Sequence, residues 1–274
     1  MLKFIFWLLF APIAVNAYHT GGSAEIILSG DNEYRAVRLI PEIYRFTNSN
    51  LSDILVVDEN GANLPFFIHT HGKQEYTPEF SIRQDGRNTI IKLHGMRNVR
   101  ISELTIHTES RFRRNVTFAN GRRAELYNLV FDFAEEKNLT LDFGGYSSDS
   151  WSHMEIVIYN QDNAPIDIYN ITLTYFADEV VFAAGTATSA TLLFGNRLAA
   201  QPPVFDIANY RELVLYAGAE LMQLGRIIFH EAYELPAVEA PEPQDLSFVF
   251  NIVITTVAFL LGVVILVHVK RKRI

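Results

Sequence analysis

The chain has 274 residues, 49% of them hydrophobic, and a formal net charge of −8. This composition is typical of chains that fold into packed globular structure, so it excludes disorder of the whole chain. Five basic residues lie at the two ends, and the stretch from Glu25 to Asp245 holds the other 18 together with all 31 acidic residues. So acidic a surface repels nucleic-acid phosphate, which argues against nucleic acid as a partner.

The first 17 residues predict a secretory signal peptide. Lys3 precedes an apolar run over residues 4–14, and Val15 and Ala17 occupy the −3 and −1 positions of a cleavage site. The apolar run is shorter than a membrane-spanning helix requires. We therefore expect cleavage after residue 17 and export of the body that follows, with an uncleaved N-terminal anchor as the alternative.

The exported body is predicted to be all-β. Alternation of apolar and polar residues is visible in four stretches, "EYRAVRL", "NTIIKLH", "ISELTIHT" and "HMEIVIYN". Turn sequences recur about every ten residues, which favours an antiparallel β-sandwich over a parallel α/β sheet. We expect a smaller β-rich module over residues 18–95 and a β-sandwich over residues 96–234. The one helical candidate is residues 206–225, whose "ELVLY" portion fits a strand equally well.

The C-terminal segments predict a membrane anchor. Residues 235–245 contain three prolines, two glutamates and an aspartate, a composition typical of an extended linker. Residues 246–269 form an apolar segment about 36 Å long as a helix, enough to span a bilayer with some tilt. The basic tail, residues 270–274, then lies in the cytoplasm by the positive-inside rule. The predicted location is the cell membrane, with a single span and an exported N-terminal body.

The absence of cysteine favours a bacterial envelope as the compartment. Exported chains in oxidising compartments often use disulfides, and this chain has 0 cysteines. Four Asn-x-Ser/Thr sequons, at Asn50, Asn115, Asn138 and Asn170, would mark glycosylation in a eukaryotic secretory pathway. In a bacterium they are coincidental.

Three stretches together resemble a known family. They are "EYRAVRLIPEIYRFTNSNLSDILVVDENGANLPFFI" (33–68), "FRRNVTF" with the later "NAPIDIYNITLTY", and "TLLFGNRLAAQPPVFDIANY" (191–210). The family comprises bacterial envelope proteins of unknown function with a signal peptide, discoidin-like (galactose-binding-like) β-sandwich modules and a C-terminal transmembrane anchor. The resemblance implies a discoidin-like jelly roll for residues 96–234.

The loop "GGYSSDSW", residues 144–151, is the predicted ligand-binding site. Loops at one end of a jelly roll carry ligands, and Tyr146, Asp149 and Trp151 combine aromatic surface with a carboxylate that can grip a sugar ring. A structural role for Trp151, as a plug at the end of the sandwich, is the alternative.

Arg111, Arg113 and Arg114 are the predicted contacts for an anionic group. A hairpin through "ANG" is expected to bring them near Arg122 and Arg123. The alternative is an edge hairpin whose charges protect it and pair with neighbouring acids.

His69 and His71 have the spacing to lie on one face of a strand and bind a metal. A metal site needs at least three converging ligands, and the sequence assures no third, although His94 and His107 lie on other predicted strands. No metal and no cofactor are therefore predicted.

Among the catalytic signatures sought were a nucleophile elbow, a Walker loop, a zincin helix and dinucleotide-binding glycines, and the sequence contains none of them. We expect a non-enzymatic protein. The predicted function is binding of an envelope glycan or exopolysaccharide by the exported body. The alternative is a structural or assembly role with other membrane proteins as partners.

Overall fold

The computed structural model describes residues 21–119, 121–149, 154–196 and 199–230. Five predicted features lie outside these residues: the signal peptide, the linker, the apolar segment 246–269, the basic tail and Trp151. Within the described part of the chain, no helix has both the length and the apolar character needed to cross a membrane.

The described residues form an all-β structure with two sheets. The large sheet contains β1 (Gly22–Ile27), β2 (Tyr34–Arg38), β3 (Leu55–Asp58), β4 (Phe66–Tyr76), β7 (Ile101–His107), β11 (Thr140–Tyr146), β13 (Asn170–Ala183), β14 (Ala190–Phe194) and β15 (Glu220–Phe229). The small sheet contains β5 (Phe80–Asp85), β6 (Asn88–Leu93), β8 (Phe112–Phe118), β9 (Arg122–Val130), β10 (Glu135–Asn138) and β12 (Met154–Tyr159). The helical elements are α1 (Pro41–Tyr44), a 3₁₀ turn (Asp206–Tyr210) and α2 (Arg211–Ala217).

The strand order of the large sheet is β11-β7-β13-β2-β15-β1-β14-β3, and that of the small sheet is β10-β9-β8-β12-β6-β5. The long strand β13 organises the large sheet, because β7 and β2 pair with successive halves of one edge and β4 pairs with the other. The pairings between the named strands are antiparallel except for that of β15 with β2. This arrangement places β2, β13 and β4 side by side.

Apolar side chains from both sheets enter one buried core, which makes the arrangement sandwich-like. Large members of this core from the two sheets are Phe182, Phe194, Leu104, Ile91 and Ile156. A second, smaller cluster covers part of the opposite face of the large sheet, where Val181 packs with Ile207 and Val214 of the helical segment. Burial of apolar surface on this scale replaces the disulfides that the chain lacks.

All four alternating stretches form strands, β2, β6, β7 and β12, as predicted. The strand that follows Pro65 begins at Phe66, as expected from the missing N–H of proline. The helical candidate is confirmed only up to Ala217, so "ELVLY" is helical. Gly218, at φ +85°, ends the helix, and the chain then enters strand β15 between β1 and β2.

Strands from both sides of the expected module boundary at residues 95 and 96 share both sheets. In the large sheet β13 pairs with β2 and β4, and in the small sheet β12 pairs with β6. The described residues all belong to one compact unit. The boundary therefore does not coincide with a division between sheets.

Candidate metal centre

A β-bulge in β4 places two histidines beside the central strand. Thr70 pairs with Asp178, whereas Gly72 pairs with the preceding residue of β13, Ala177, so His71 is the extra residue. A bulge bends its strand and redirects the inserted side chain. His71 thereby turns its imidazole toward β13 rather than lying in the regular row of side chains.

The pairing of β13 with β4 and β2 brings a carboxylate beside these two histidines. Glu179 of β13 lies opposite His69 on one side and opposite Arg38 of β2 on the other. Successive residues of a strand point to opposite faces. Val180 faces the main core and Val181 packs under the helical segment, so Glu179 shares the outer face with Val181.

The donor atoms of His69, His71 and Glu179 all lie within 4.8 Å of one another. We call these three residues the histidine–glutamate cluster. His71 Nδ1 lies 3.3 Å from Glu179 Oε2, and the two imidazole rings are nearly perpendicular, with centroids 6.3 Å apart. The Glu179 side chain is only 9% exposed, whereas that of His71 is 49% exposed. The cluster therefore has a fixed, buried carboxylate and an accessible imidazole.

Arg38 fixes the orientation of this carboxylate. Its Nε and Nη2 donate to Glu179 Oε1 at 3.1 and 2.8 Å. Both hydrogen bonds use the same oxygen, which leaves Oε2 directed toward His71. Hydrogen bonds to the second oxygen of a ligating carboxylate are the usual way in which proteins orient metal ligands.

A second polar network supports the bulge from the next residue of β13. Asp178 accepts hydrogen bonds from Thr70 Oγ1 at 2.7 Å, Arg100 Nη2 at 2.7 Å and the Tyr44 hydroxyl at 2.9 Å. Burial, followed by the neighbouring Asp178 carboxylate, raises the pKa of the Tyr44 phenol well above its usual value. Tyr44 therefore remains a neutral donor, and Thr70, which immediately precedes His71, is held in place.

The cluster has a ligand set that suits zinc. Two imidazoles and one carboxylate are a known protein ligand set for Zn²⁺, and bonds of about 2.0–2.2 Å place tetrahedral donor atoms about 3.4 Å apart. In the cluster the donor atoms lie within 4.8 Å of one another, and His71 Nδ1 and Glu179 Oε2 are already 3.3 Å apart. His71 is half exposed, so its imidazole is the most accessible of the three ligands to an incoming ion.

Sequence reasoning found the histidine pair and missed Glu179. The expectation of no metal site rested on the lack of an evident third ligand, and the structure places Glu179 as a candidate for that ligand. It follows His71 by 108 positions in the sequence, and only the pairing of β4 with β13 brings the two together. His94 and His107 each bond elsewhere, to Ser81 and Thr172 respectively.

The predicted sugar-binding residues are described only in part. Tyr146 ends β11 and is half buried in the wall of a shallow hollow of about 250 Å³, which also contains Thr117, Ser148 and Glu155. Asp149 is exposed, and Trp151 lies outside the described residues. We call this feature the Tyr146 hollow.

The predicted arginine hairpin forms, but its two basic groups lie at opposite ends. Arg113 pairs across the hairpin with Tyr127, whereas Arg122 pairs with Phe118 beside the turn, because antiparallel strands place the start of one opposite the end of the other. Arg113 is bound to Glu125 through two bonds of 2.8 Å, Arg114 bonds to the Arg113 carbonyl, and Arg111 is exposed. These contacts match the charge-paired alternative more closely than a single anion site.

No protein-family model, curated protein or solved structure matches the chain. The family resemblance in the sequence thus stays a prediction.

Proposed function

We propose that this protein binds a divalent transition metal ion, Zn²⁺ in the first place, at His69, His71 and Glu179. The observation that carries the proposal is the convergence of three donor atoms within 4.8 Å, brought together by a bulge in one strand and the register of the next. Among the described residues this is the one group of three such donors.

The ligand types favour zinc over the hard cations. Imidazole nitrogen suits Zn²⁺, Cu²⁺ and Ni²⁺, whereas Ca²⁺ and Mg²⁺ take oxygen ligands. Three protein ligands leave a fourth position for water or for a donor from another molecule. The exposure of His71 leaves that position accessible from solvent.

The test is isothermal titration of the purified full-length chain with Zn²⁺ and, separately, with Mg²⁺. We expect one equivalent of Zn²⁺ to bind, Mg²⁺ not to compete, and His71→Ala to weaken Zn²⁺ binding by more than about tenfold, or about 1.4 kcal/mol. The matched control is His230→Ala, which removes an exposed histidine outside the cluster. Equal binding by the two variants would contradict the proposal.

Glycan binding at the Tyr146 hollow is a second candidate function. An aromatic side chain beside hydroxyl and carboxylate groups, from Thr117, Ser148 and Glu155, is a combination that suits a sugar ring. We expect Tyr146→Ala to lower affinity for the bound glycan on an array by about 1–3 kcal/mol while unfolding is unchanged. Loss of binding in Asp149→Asn or Trp151→Ala would extend the site to the rest of the loop.

We further propose the setting that the sequence predicts: a discoidin-like body, exported across a bacterial membrane and anchored by residues 246–269. The basic tail beside the apolar segment supports this orientation through the positive-inside rule. Protease treatment of intact spheroplasts tests it, because an exported body is digested while the tail is protected. A role as an assembly partner predicts instead that crosslinking captures one specific membrane protein even when Tyr146 is replaced.

A further inference from the structure

A second polar pocket lies away from the histidine–glutamate cluster. It has a volume of about 220 Å³ and is lined by Glu42, Arg45, Tyr76, Glu79, His94 and Gly95. We call it the Arg45 pocket. Tyr76 ends β4, and at about 3.3 Å per residue it lies about 16 Å along the strand from His71. The pocket is therefore a separate site.

The Arg45 guanidinium packs against two aromatic rings and has a donor without a partner. Its central carbon lies 4.7 Å from the ring centroid of Phe46 and 5.3 Å from that of Phe229. Within the described residues no carboxylate forms an ion pair with it, and its Nε is buried without a hydrogen-bond partner. A guanidinium positioned by aromatic rings is preorganised to bind a carboxylate through two parallel hydrogen bonds.

Gly95 keeps the approach to this guanidinium open. It has φ +72°, a conformation that favours glycine, and a Cβ at this position would lie 3.7 Å from Arg45 Nη1. That separation is an ordinary van der Waals contact, so a side chain at this position would pack against the guanidinium. The missing side chain thus forms part of the pocket.

The same pocket contains two carboxylates. Glu42 Oε1 accepts a hydrogen bond from the Tyr76 hydroxyl at 3.0 Å, and Glu79 lines the pocket from an exposed position. Burial, and then the charge of Glu42, raises the pKa of Tyr76 to about 12, so its phenol stays a donor at neutral pH. Glu42 has one oxygen bound to Tyr76, and its other oxygen has no hydrogen bond within the described residues.

We propose that the Arg45 pocket binds a small zwitterion, a free α-amino acid, with its carboxylate on Arg45 and its ammonium group on Glu42 and Glu79. The Arg45 guanidinium and the carboxylates of Glu42 and Glu79 line one pocket and form no ion pair with each other. A ligand with one carboxylate and one ammonium group can pair with both kinds of charge. The volume is below the roughly 300–1,000 Å³ of sites for drug-sized ligands, which restricts the ligand to a few heavy atoms beyond the zwitterion.

The experiment titrates the purified full-length chain, in the presence of a chelator, with glycine, glutamate and lysine, and with acetate and methylammonium as single-charge fragments. We expect at least one amino acid to bind with a Kd below about 1 mM and each fragment to bind at least about tenfold more weakly. Arg45→Lys keeps the charge and removes the paired donors, and Glu42→Gln keeps the size and removes the charge. Each should weaken binding by at least about tenfold.

Glu75→Gln, an exposed carboxylate on β4 outside the pocket, is the matched control and should bind as the parent chain does. His71→Ala should also bind the amino acid normally, which separates this proposal from that of the metal site. The proposal is overturned if no amino acid binds the folded chain at about 10 mM, or if Arg45→Lys and Glu42→Gln both bind unchanged.

Discussion

Replacing Arg38 tests whether the carboxylate of Glu179 is held as the structure shows. Arg38→Met retains most of the aliphatic stem and removes both donors to Oε1. Glu179, at 9% exposure, is then left as a buried charge without its cation. We expect the free energy of unfolding to fall, because a buried carboxylate without a partner is poorly solvated.

The magnitude follows from the exposure of the two partners. A hydrogen bond to a charged group contributes about 1.5–3 kcal/mol, and breaking a fully buried pair costs about 3–5 kcal/mol. Here the two bonds share one acceptor, and the Arg38 side chain is 25% exposed, so water partly replaces it. We therefore expect a loss of about 2–3 kcal/mol, or about 4–12 °C in Tm for a body of this size.

The assay is urea unfolding at neutral pH with a chelator present, so that bound metal does not contribute. Arg113→Met is the matched control, because Arg113 makes two equally short bonds to Glu125 while both side chains are exposed, at 62% and 39%. That variant should lose clearly less stability than Arg38→Met, because water screens an exposed ion pair and replaces its hydrogen bonds. The double variant Arg38→Met/Glu179→Gln should recover part of the loss, since it removes the stranded charge.

Equal losses in the two arginine variants would refute the reasoning, because burial would then make no difference. A double variant no more stable than Arg38→Met would refute it too, since the loss would come from packing alone.

Two further predictions concern stability elsewhere in the body. The pKa of Tyr76 is raised from 10.0 to about 12, so folding favours the neutral phenol. The resulting contribution to the free energy of unfolding is complete below pH 10 and is lost as the pH rises toward 12. In urea unfolding experiments between these pH values, the free energy of unfolding of Tyr76→Phe should therefore fall less steeply with pH than that of the parent chain. The same pH dependence in both chains would contradict the raised pKa of Tyr76. Gly22→Ala should destabilise the body by about 1–3 kcal/mol in the same assay, because its Cβ would lie 2.6 Å from the buried ring of Phe194. Gly72→Ala should cost less, because its Cβ meets no neighbour and its φ is not positive.

Local patterns in the sequence were sufficient to predict strands and poor at predicting their partners. "EYRAVRL" alternates because one face of β2 is buried, and this alternation is visible in any window of a few residues. The partner of β2 on one side is β13, more than 140 positions away, and no local signal encodes that pairing. For the same reason, the sequence around His69 and His71 did not identify Glu179 as their neighbour in space.

The bulge adds a second limit. Strict alternation predicts that residues 69, 71 and 73 simply share one face, and it gives no sign that His71 is inserted between two paired positions. The helical candidate over residues 206–225 shows a further limit. Its "ELVLY" portion fitted both a helix and a strand; the structure makes it helical, and strand β15 begins only after Gly218.

The position of β15 between β1 and β2 has a consequence for the order of folding. Until Glu220–Phe229 have been synthesised, the large sheet lacks the strand that joins its two halves, one ending at β1 and the other at β2. A ribosome-bound chain therefore presents two open strand edges until nearly the whole body has emerged, and closure requires contacts between distant parts of the chain. Completion of this sheet is thus a late event in folding, and a chain truncated before residue 220 is expected to aggregate rather than to fold.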